Sequence, residues 1–174
     1  MKPSVVPPFS ELIAGCQRSA VHLELRDAYG VAEEDEDFAE WRELGTITPA
    51  SVERRHDWLD LVRATTARGV VMKRARVVSV PVSEYIRYEH AGTYLNVEAG
   101  EQIRWLPRPE AATLALPGAD FWLFDDRLIR FGHFAGDGAF VSHDLNDDPE
   151  AVKLCADAFA AVWDRATPHE EFSV

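Results

Sequence analysis

Cysteine is nearly missing from this 174-residue chain. Only Cys16 and Cys155 occur, too few and too far apart for a disulfide framework or a metal-ligand spacing, and they read as reduced core thiols. No uninterrupted apolar run reaches the roughly 18 residues of a membrane-spanning helix, and residues 1–8 lack the apolar segment of a signal peptide. The expected location is the cytoplasm. Positive charge is short as well: 18 Lys plus Arg stand against 30 Asp plus Glu, a formal net charge of -12. Such a molecule is repelled by phosphate backbones and anionic lipid surfaces, which disfavours direct nucleic-acid or membrane binding and suits a basic protein partner. Signature motifs are absent too. There is no G-x-S-x-G elbow, P-loop, G-x-G-x-x-G or H-E-x-x-H, and nothing points to a cofactor.

What the chain does have is apolar and aromatic content, 47% hydrophobic residues with five Trp and nine Phe, enough for the core of a single domain over 1–174. After the extended start set by Pro3, Pro7 and Pro8, Ser10 offers an N-cap for a helix through Leu12, Ile13, Cys16, Ala20 and Leu23. A second helix is expected over 34–44. It opens on the acidic run Glu33, Glu34, Asp35, Glu36 and Asp37, carries Phe38 and Trp41 on one face, and stops at Gly45. Thr48 and Pro49 start a third, through Val52, Trp58, Leu59, Val62 and Ala67 to Gly69. Strand-like runs follow at 74–80 and 101–106, separated by a helix over 84–90. Residues 120–124 and 127–131 read as a hairpin turning at Asp125 and Asp126. A Gly136-Asp137-Gly138 turn, a strand at 139–143 and a closing helix over 149–165 complete the chain. The class is α+β: a helical layer (10–69), then a mixed sheet of about five strands with an inserted helix and a closing C-terminal helix (74–166).

Residues 20–27 (AVHLELRD), 76–87 (RVVSVPVSEYIR), 104–108 (RWLPR), 120–125 (DFWLFD) and 168–172 (PHEEF) resemble an uncharacterised actinomycete domain family often encoded beside helix-turn-helix regulators. The resemblance implies a regulatory partner of that kind. The chain departs from the pattern at Val80, where an acidic residue is common, and at Ala119, where Asn is common. More distantly, the order of elements from Arg76 onward is similar to one half of a phospholipase D-like protein. Those enzymes require H-x-K-x-x-x-x-D, because His attacks phosphorus while Lys holds the phosphoryl oxygens. Placing that Asp at Asp126 puts Ala119 and Phe121 at the His and Lys positions, and placing it at Asp125 puts Gly118 and Asp120 there. Neither register supplies a nucleophile, so the resemblance implies a scaffold without the chemistry.

Several groups are candidates for a site. Arg104, Arg108 and Asp120 with the rings of Trp105 and Trp122 would make a pocket for a planar or anionic small molecule, with Glu84 and Arg87 from the inserted helix beside it. Against this, Trp in strands is usually core, and Glu84, Arg87, Glu89 and His90 have the spacing of ordinary helix-surface ion pairs. His133 and His143 with Asp137 and Asp144 have no metal-site spacing. His22-x-Glu24 and the run Arg54 to Asp57 read as short charged groups on helices. The leading expectation is a non-enzymatic regulatory protein acting with a helix-turn-helix DNA-binding partner and sensing a small ligand. The rival is an enzyme acting on a small anionic substrate, with Glu84, Arg104, Asp120 and His133 converging. A third reading, an acidic DNA mimic or antitoxin-like inhibitor, requires residues 33–37 on one exposed strip.

Overall fold

The computed structural model describes residues 6–30 and 32–174, so the extended start attributed to Pro3 lies outside them. Pro8 precedes a short helix, α1 (Phe9–Ala14), that buries Ile13. The chain then enters strand β1 (Ser19–Glu24). This corrects the expected helix through Leu23. The segment alternates with period two, Ala20, His22 and Glu24 on one face and Val21 and Leu23 on the other, but both faces are largely covered. With polar side chains on a covered face, the usual apolar-in, polar-out contrast of a strand is lost.

Helix α2 (Asp35–Leu44) ends where Gly45 takes the left-handed conformation, φ 70°. The Thr48 hydroxyl then accepts the Ser51 N–H, and Pro49 fills the first helical position. The expected third helix is two, α3 (Pro49–Arg54) and α4 (His56–Ala67), broken at Arg55, whose guanidinium reaches Asp37 and Tyr88. Strand β2 (Val71–Val78) leads to α5 (Glu84–Glu98), capped by the Ser83 hydroxyl and longer than the patterning indicates. Then come β3 (Gln102–Pro107), the one-turn α6 (Arg108–Ala111), β4 (Asp120–Phe124), β5 (Leu128–Phe134), β6 (Phe140–Asn146), α7 (Pro149–Arg165) and the two-residue β7 (Thr167–Pro168).

The seven strands form one mixed sheet in the order β6-β5-β4-β1-β2-β3-β7. β1, β2 and β3 run parallel, while β4 is antiparallel to β1, and β5 and β6 extend that side as antiparallel hairpins. The sheet exceeds the expected five strands because β1 occupies its centre and β7 pairs on the edge of β3.

One sheet face meets α7: Leu23, Ala75, Val77, Leu106, Phe121, Leu123 and Ile129 pack on Cys155, Phe159 and Val162. Each such side chain contributes about 1.5–3 kcal/mol when fully buried. The other face carries two separate apolar clusters. Met72, Trp122 and Phe124 pack on Ile13, Leu59 and Val62, while Val78, Ile103 and Trp105 pack on Tyr85, Ile86 and Tyr88. Helices α1 to α4 thus cover part of this face beside α5, whereas β1, within the expected helical layer 10–69, lies in the sheet itself. Polar strand residues on the same face form the candidate site.

The β4–β5 turn holds the sheet centre together. Asp125 and Asp126 are left-handed, φ 53° and 52°, and the Arg127 N–H donates to Phe124 O at 3.0 Å. The Asp125 carboxylate is buried and accepts the N–H groups of Gln17, Arg18 and Ser19 and the Cys16 thiol. It therefore fixes the start of β1 as well as the turn.

Candidate functional site

Strand alternation puts His22 and Glu24 of β1, Arg74 and Arg76 of β2, Asp120 and Trp122 of β4, and Arg130 of β5 on one face. Register pairs His22 with Arg74 and with Trp122, Glu24 with Arg76, and Trp122 with Arg130. The side chains are consequently neighbours. Glu24 Oε1 lies 2.6 Å from Arg74 Nη1 and Glu24 Oε2 lies 2.7 Å from Arg76 Nε. Arg74 Nε donates to Glu101 at 2.8 Å, whose other oxygen accepts from Asn96 at 2.7 Å, and Arg76 also pairs with Glu89 of α5. The His22 ring stacks on Trp122, centroids 4.3 Å apart and planes within 17°.

This network lines a cavity with two lobes of about 190 and 370 Å³ that share His22, Glu34, Arg74, Glu89, Trp122 and Arg130. The smaller lobe reaches Tyr29, Tyr85, Asp120, Phe134 and His143, and the larger reaches Phe9, Trp58, Arg54, Arg55 and Arg76. The lining therefore interleaves guanidinium groups, carboxylates and aromatic rings. Among the described residues, no three His, Cys, Asp or Glu are grouped to hold a metal ion.

Burial sets the protonation states. It pushes His22 down to about 3, and nearby Arg74, Arg76 and Arg130 act in the same direction against Glu24, so the imidazole is neutral. For Glu24, burial would raise the carboxyl, but Arg76 and Arg74 outweigh it and hold the group at about 2. Glu34 is raised to about 7 by burial and by the charge of Glu89, although the Tyr85 hydroxyl donates to it. Asp120 is raised to about 6 by burial, against the Tyr29 hydroxyl and the Leu25 N–H that donate to it. His143 is lowered to about 4 by burial and by Arg130. The cavity thus offers fixed cations, two carboxyls able to exchange protons near neutrality, and neutral imidazoles.

Of the residues singled out as a ligand pocket, this cavity brings together Asp120 and Trp122. Arg104 and Trp105, adjacent on β3, face opposite ways. Trp105 is fully buried beneath Phe172, while Arg104 stacks 4.6 Å over Trp163 on the α7 side and donates to Trp163 O. Arg108 sits at the strand ends, donating to Leu25 O and Val77 O. Glu84 is exposed and pairs with Arg42, and Arg87 is exposed. His133 pairs with Asp144 at 2.8 Å, exposed. Glu84, Arg104, Asp120 and His133 therefore do not converge, which corrects that expectation. The acidic run is not one exposed strip either. Asp37 is buried against Arg54 and Arg55, and Glu34 turns into the cavity, while Asp35 and Glu36 are exposed; the Glu33 side chain lies outside the described set.

His22, Glu24, Arg74, Arg76, Glu89 and Arg130 were not expected at a site. His22-x-Glu24 belongs to a strand, not a helix, and together with Arg74-x-Arg76 it puts charges at every second residue of neighbouring strands. That pairing is the signal available in the sequence. On β4, Asp120, Phe121 and Trp122 all border the smaller lobe, although Phe121 packs in the apolar core on the α7 side.

Residues 7–174 match the family described as a domain of unknown function, DUF6879. The chain belongs to the DUF6879 family. No curated protein sequence matches this DUF6879 chain. Among solved structures it is similar in fold to Nuc from Salmonella typhimurium, a phospholipase D family member, with 11% identity and a TM-score of 0.51 over 91% of this chain and 86% of that one. It is also similar to TrmBL2, an archaeal chromatin protein whose structure shows a novel mode of DNA binding, with 12% identity and a TM-score of 0.50. The DUF6879 chain is covered over 91% there and spans about half, 48%, of TrmBL2. At such identities the likeness is one of fold. No helix among the described residues is long and apolar enough to cross a membrane.

Proposed function

We propose that this DUF6879 protein is a non-enzymatic, ligand-responsive regulator: it takes a small polar molecule into the sheet-face cavity and acts with a helix-turn-helix DNA-binding partner in an actinomycete cytoplasm. The observation carrying the ligand is Arg76. Its residue is only 4% exposed, yet Nη1 has no hydrogen-bond partner among the described residues and the side chain lines the larger lobe. A buried guanidinium N–H without an acceptor is costly, and an acceptor from a ligand removes that cost. Phospholipase D-type phosphoryl transfer is disfavoured by the lysines. Lys73 lies over Trp163 on the α7 side and Lys153 pairs with Asp157 on α7, so neither described lysine stands by His22 or His143 to hold a phosphoryl group. The regulatory part is supported by the family resemblance, by the net charge of -12 and by the occurrence of this scaffold in an archaeal chromatin protein.

Two measurements test the proposal. A thermal-shift and NMR screen of small polar metabolites against the whole chain is expected to yield a saturable ligand shifting Trp122 and Arg76 resonances; no binder at millimolar concentration would remove the ligand claim. Co-purification with a helix-turn-helix regulator from a neighbouring gene is expected at micromolar concentration, and absence of a complex would remove the partner claim. A second reading, acid–base turnover of the bound molecule, is favoured by Glu34 titrating at about 7. It predicts product formation that Glu34→Gln abolishes.

A further inference from the structure

The cavity's arginines are not equivalent. Arg74 pairs with Glu24 and Glu101, Arg76 with Glu24 and Glu89, and Arg54 and Arg55 with Asp37. Arg130 makes no such pair among the described residues. Its Nη2 lies 3.3 Å from His143 Nδ1, its guanidinium stands 5.5 Å over the Phe9 ring, and its Nε is buried with no partner. With His143 neutral, Nδ1 accepts a hydrogen bond from one Arg130 N–H, leaving the Nε–H without an acceptor among the described residues. The Arg130 side chain as a whole is half-buried, so part of its charge is removed from water without a carboxylate partner among the described residues. Arg130 lines both lobes, so whatever enters either lobe meets it.

We infer that the ligand carries an anionic group, carboxylate or phosphate, that seats on Arg130 beside His143, with the Arg76 Nη1 as a further donor from the larger lobe. The geometry fits because a guanidinium presents parallel N–H donors that match two oxygens of such a group. It also fits the rest of the wall. Glu24, Glu89 and Glu101 are occupied by Arg74 and Arg76, so they do not compete for Arg130. The remaining carboxyls, Glu34 and Asp120, accept from tyrosine hydroxyls and have oxygen lone pairs left for donors elsewhere on the ligand. This inference rests on the ligand-binding reading and narrows its chemistry.

The test uses the whole chain and two probes, sodium phosphate and sodium acetate, with sodium chloride at matched ionic strength as the control. Side-chain Nε–Hε of Arg130 and the ring of His143 are followed by NMR. A saturable shift in one or both anions but not in chloride is expected, and the stronger of the two identifies phosphate or carboxylate as the group. Arg130→Gln should weaken it by about tenfold or more, and Arg130→Lys should retain part of it; the fold of each variant is checked by its amide spectrum. Lack of saturation in both anions, or unchanged affinity in Arg130→Gln, overturns the assignment. The two readings fail separately: a metabolite that binds equally well to Arg130→Gln keeps the ligand-binding reading and removes the anion seat. Anion binding without any metabolite binder does the reverse.

Discussion

Asp125→Ala should be among the most damaging substitutions in this chain, even though position 125 lies in a two-aspartate turn. Oδ1 of Asp125 accepts the Arg18 N–H at 2.7 Å, the Ser19 N–H at 3.0 Å and the Cys16 thiol at 3.1 Å, and Oδ2 accepts the Gln17 N–H at 3.0 Å. Hydrogen bonds to a charged acceptor contribute about 1.5–3 kcal/mol each, though within one carboxylate they do not simply add. Alanine at φ 53° adds roughly 1 kcal/mol of backbone cost. A loss of about 4 kcal/mol follows. At a urea slope of roughly 2 kcal/mol per molar, that lowers the unfolding midpoint by about 2 M. Tryptophan fluorescence during urea titration at pH 7 measures it.

Asp126→Ala is the control. Asp126 has nearly the same φ, 52°, but is exposed, so it should lose only the backbone contribution of roughly 1 kcal/mol. The acid limb gives a second check. The N–H groups of Ser19, Gln17 and Arg18 and the Cys16 thiol hold the Asp125 carboxyl well below its ordinary value, against the effect of burial. Its contribution is therefore present above the unfolded value near 4 and is lost as pH falls towards the depressed folded value. The gap between wild type and Asp125→Asn should close over that range. Equal midpoints for Asp125→Ala and Asp126→Ala at pH 7 would refute the reasoning.

The remaining predictions concern the cavity. Glu34 moves from an ordinary 4.5 to about 7 in the fold, so the folded state favours its protonated form; that advantage is complete below the unfolded value and disappears as pH rises through 7. Glu34→Gln should accordingly raise thermal stability at pH 8 relative to wild type, by at most about 3 kcal/mol, with little difference at pH 4; an equal change at both pH values would contradict it. Arg74→Met leaves Glu24 and Glu101 short of their shared cation and should cost about 3–5 kcal/mol in urea unfolding. Arg104→Ala should lose only about 1 kcal/mol with the Trp163 stack and leave cavity-ligand affinity unchanged, because it stands on the α7 side. A tenfold loss of affinity there would return Arg104 to the site.

Local signals carried much of the fold into the sequence. Thr48 with Pro49, Ser83 and Gly45 mark helix ends by capping chemistry that needs no distant partner, and the closing helix occupies the expected 149–165. The hairpin was legible from the branched and aromatic residues flanking Asp125 and Asp126. β1 was not, because His22 and Glu24 are covered by residues about 50 and 100 positions away: Arg74 and Arg76 pair with Glu24, and Trp122 stacks on His22. The candidate site failed for the same reason. Its members come from strands β1, β2, β4, β5 and β6, helices α1 to α5, and the connections between them, and no short motif joins His22, Glu89 and Arg130. Arg104, Arg108 and Trp105 looked more site-like because they are close in sequence, but neighbours on a strand face opposite ways.

That contrast bears on why the sheet face is polar at all. Apolar clusters already pack on both sides of it, around Trp122 and Leu59 and around Trp105 and Tyr88. Completing the face with apolar residues of similar volume would often be neutral or stabilising, since removing charges from water offsets most of the gain from pairing them. Glu24, Arg74, Arg76, Glu89 and Glu101 instead form a paired framework, and Arg130 stands beside it without a carboxylate among the described residues. Stability alone accounts for the pairs poorly, and for Arg130 it offers only the contacts with the Phe9 ring and His143. A fixed, charge-balanced wall that holds one uncommitted guanidinium in place is what selective capture of an anion requires, and that requirement accounts for both.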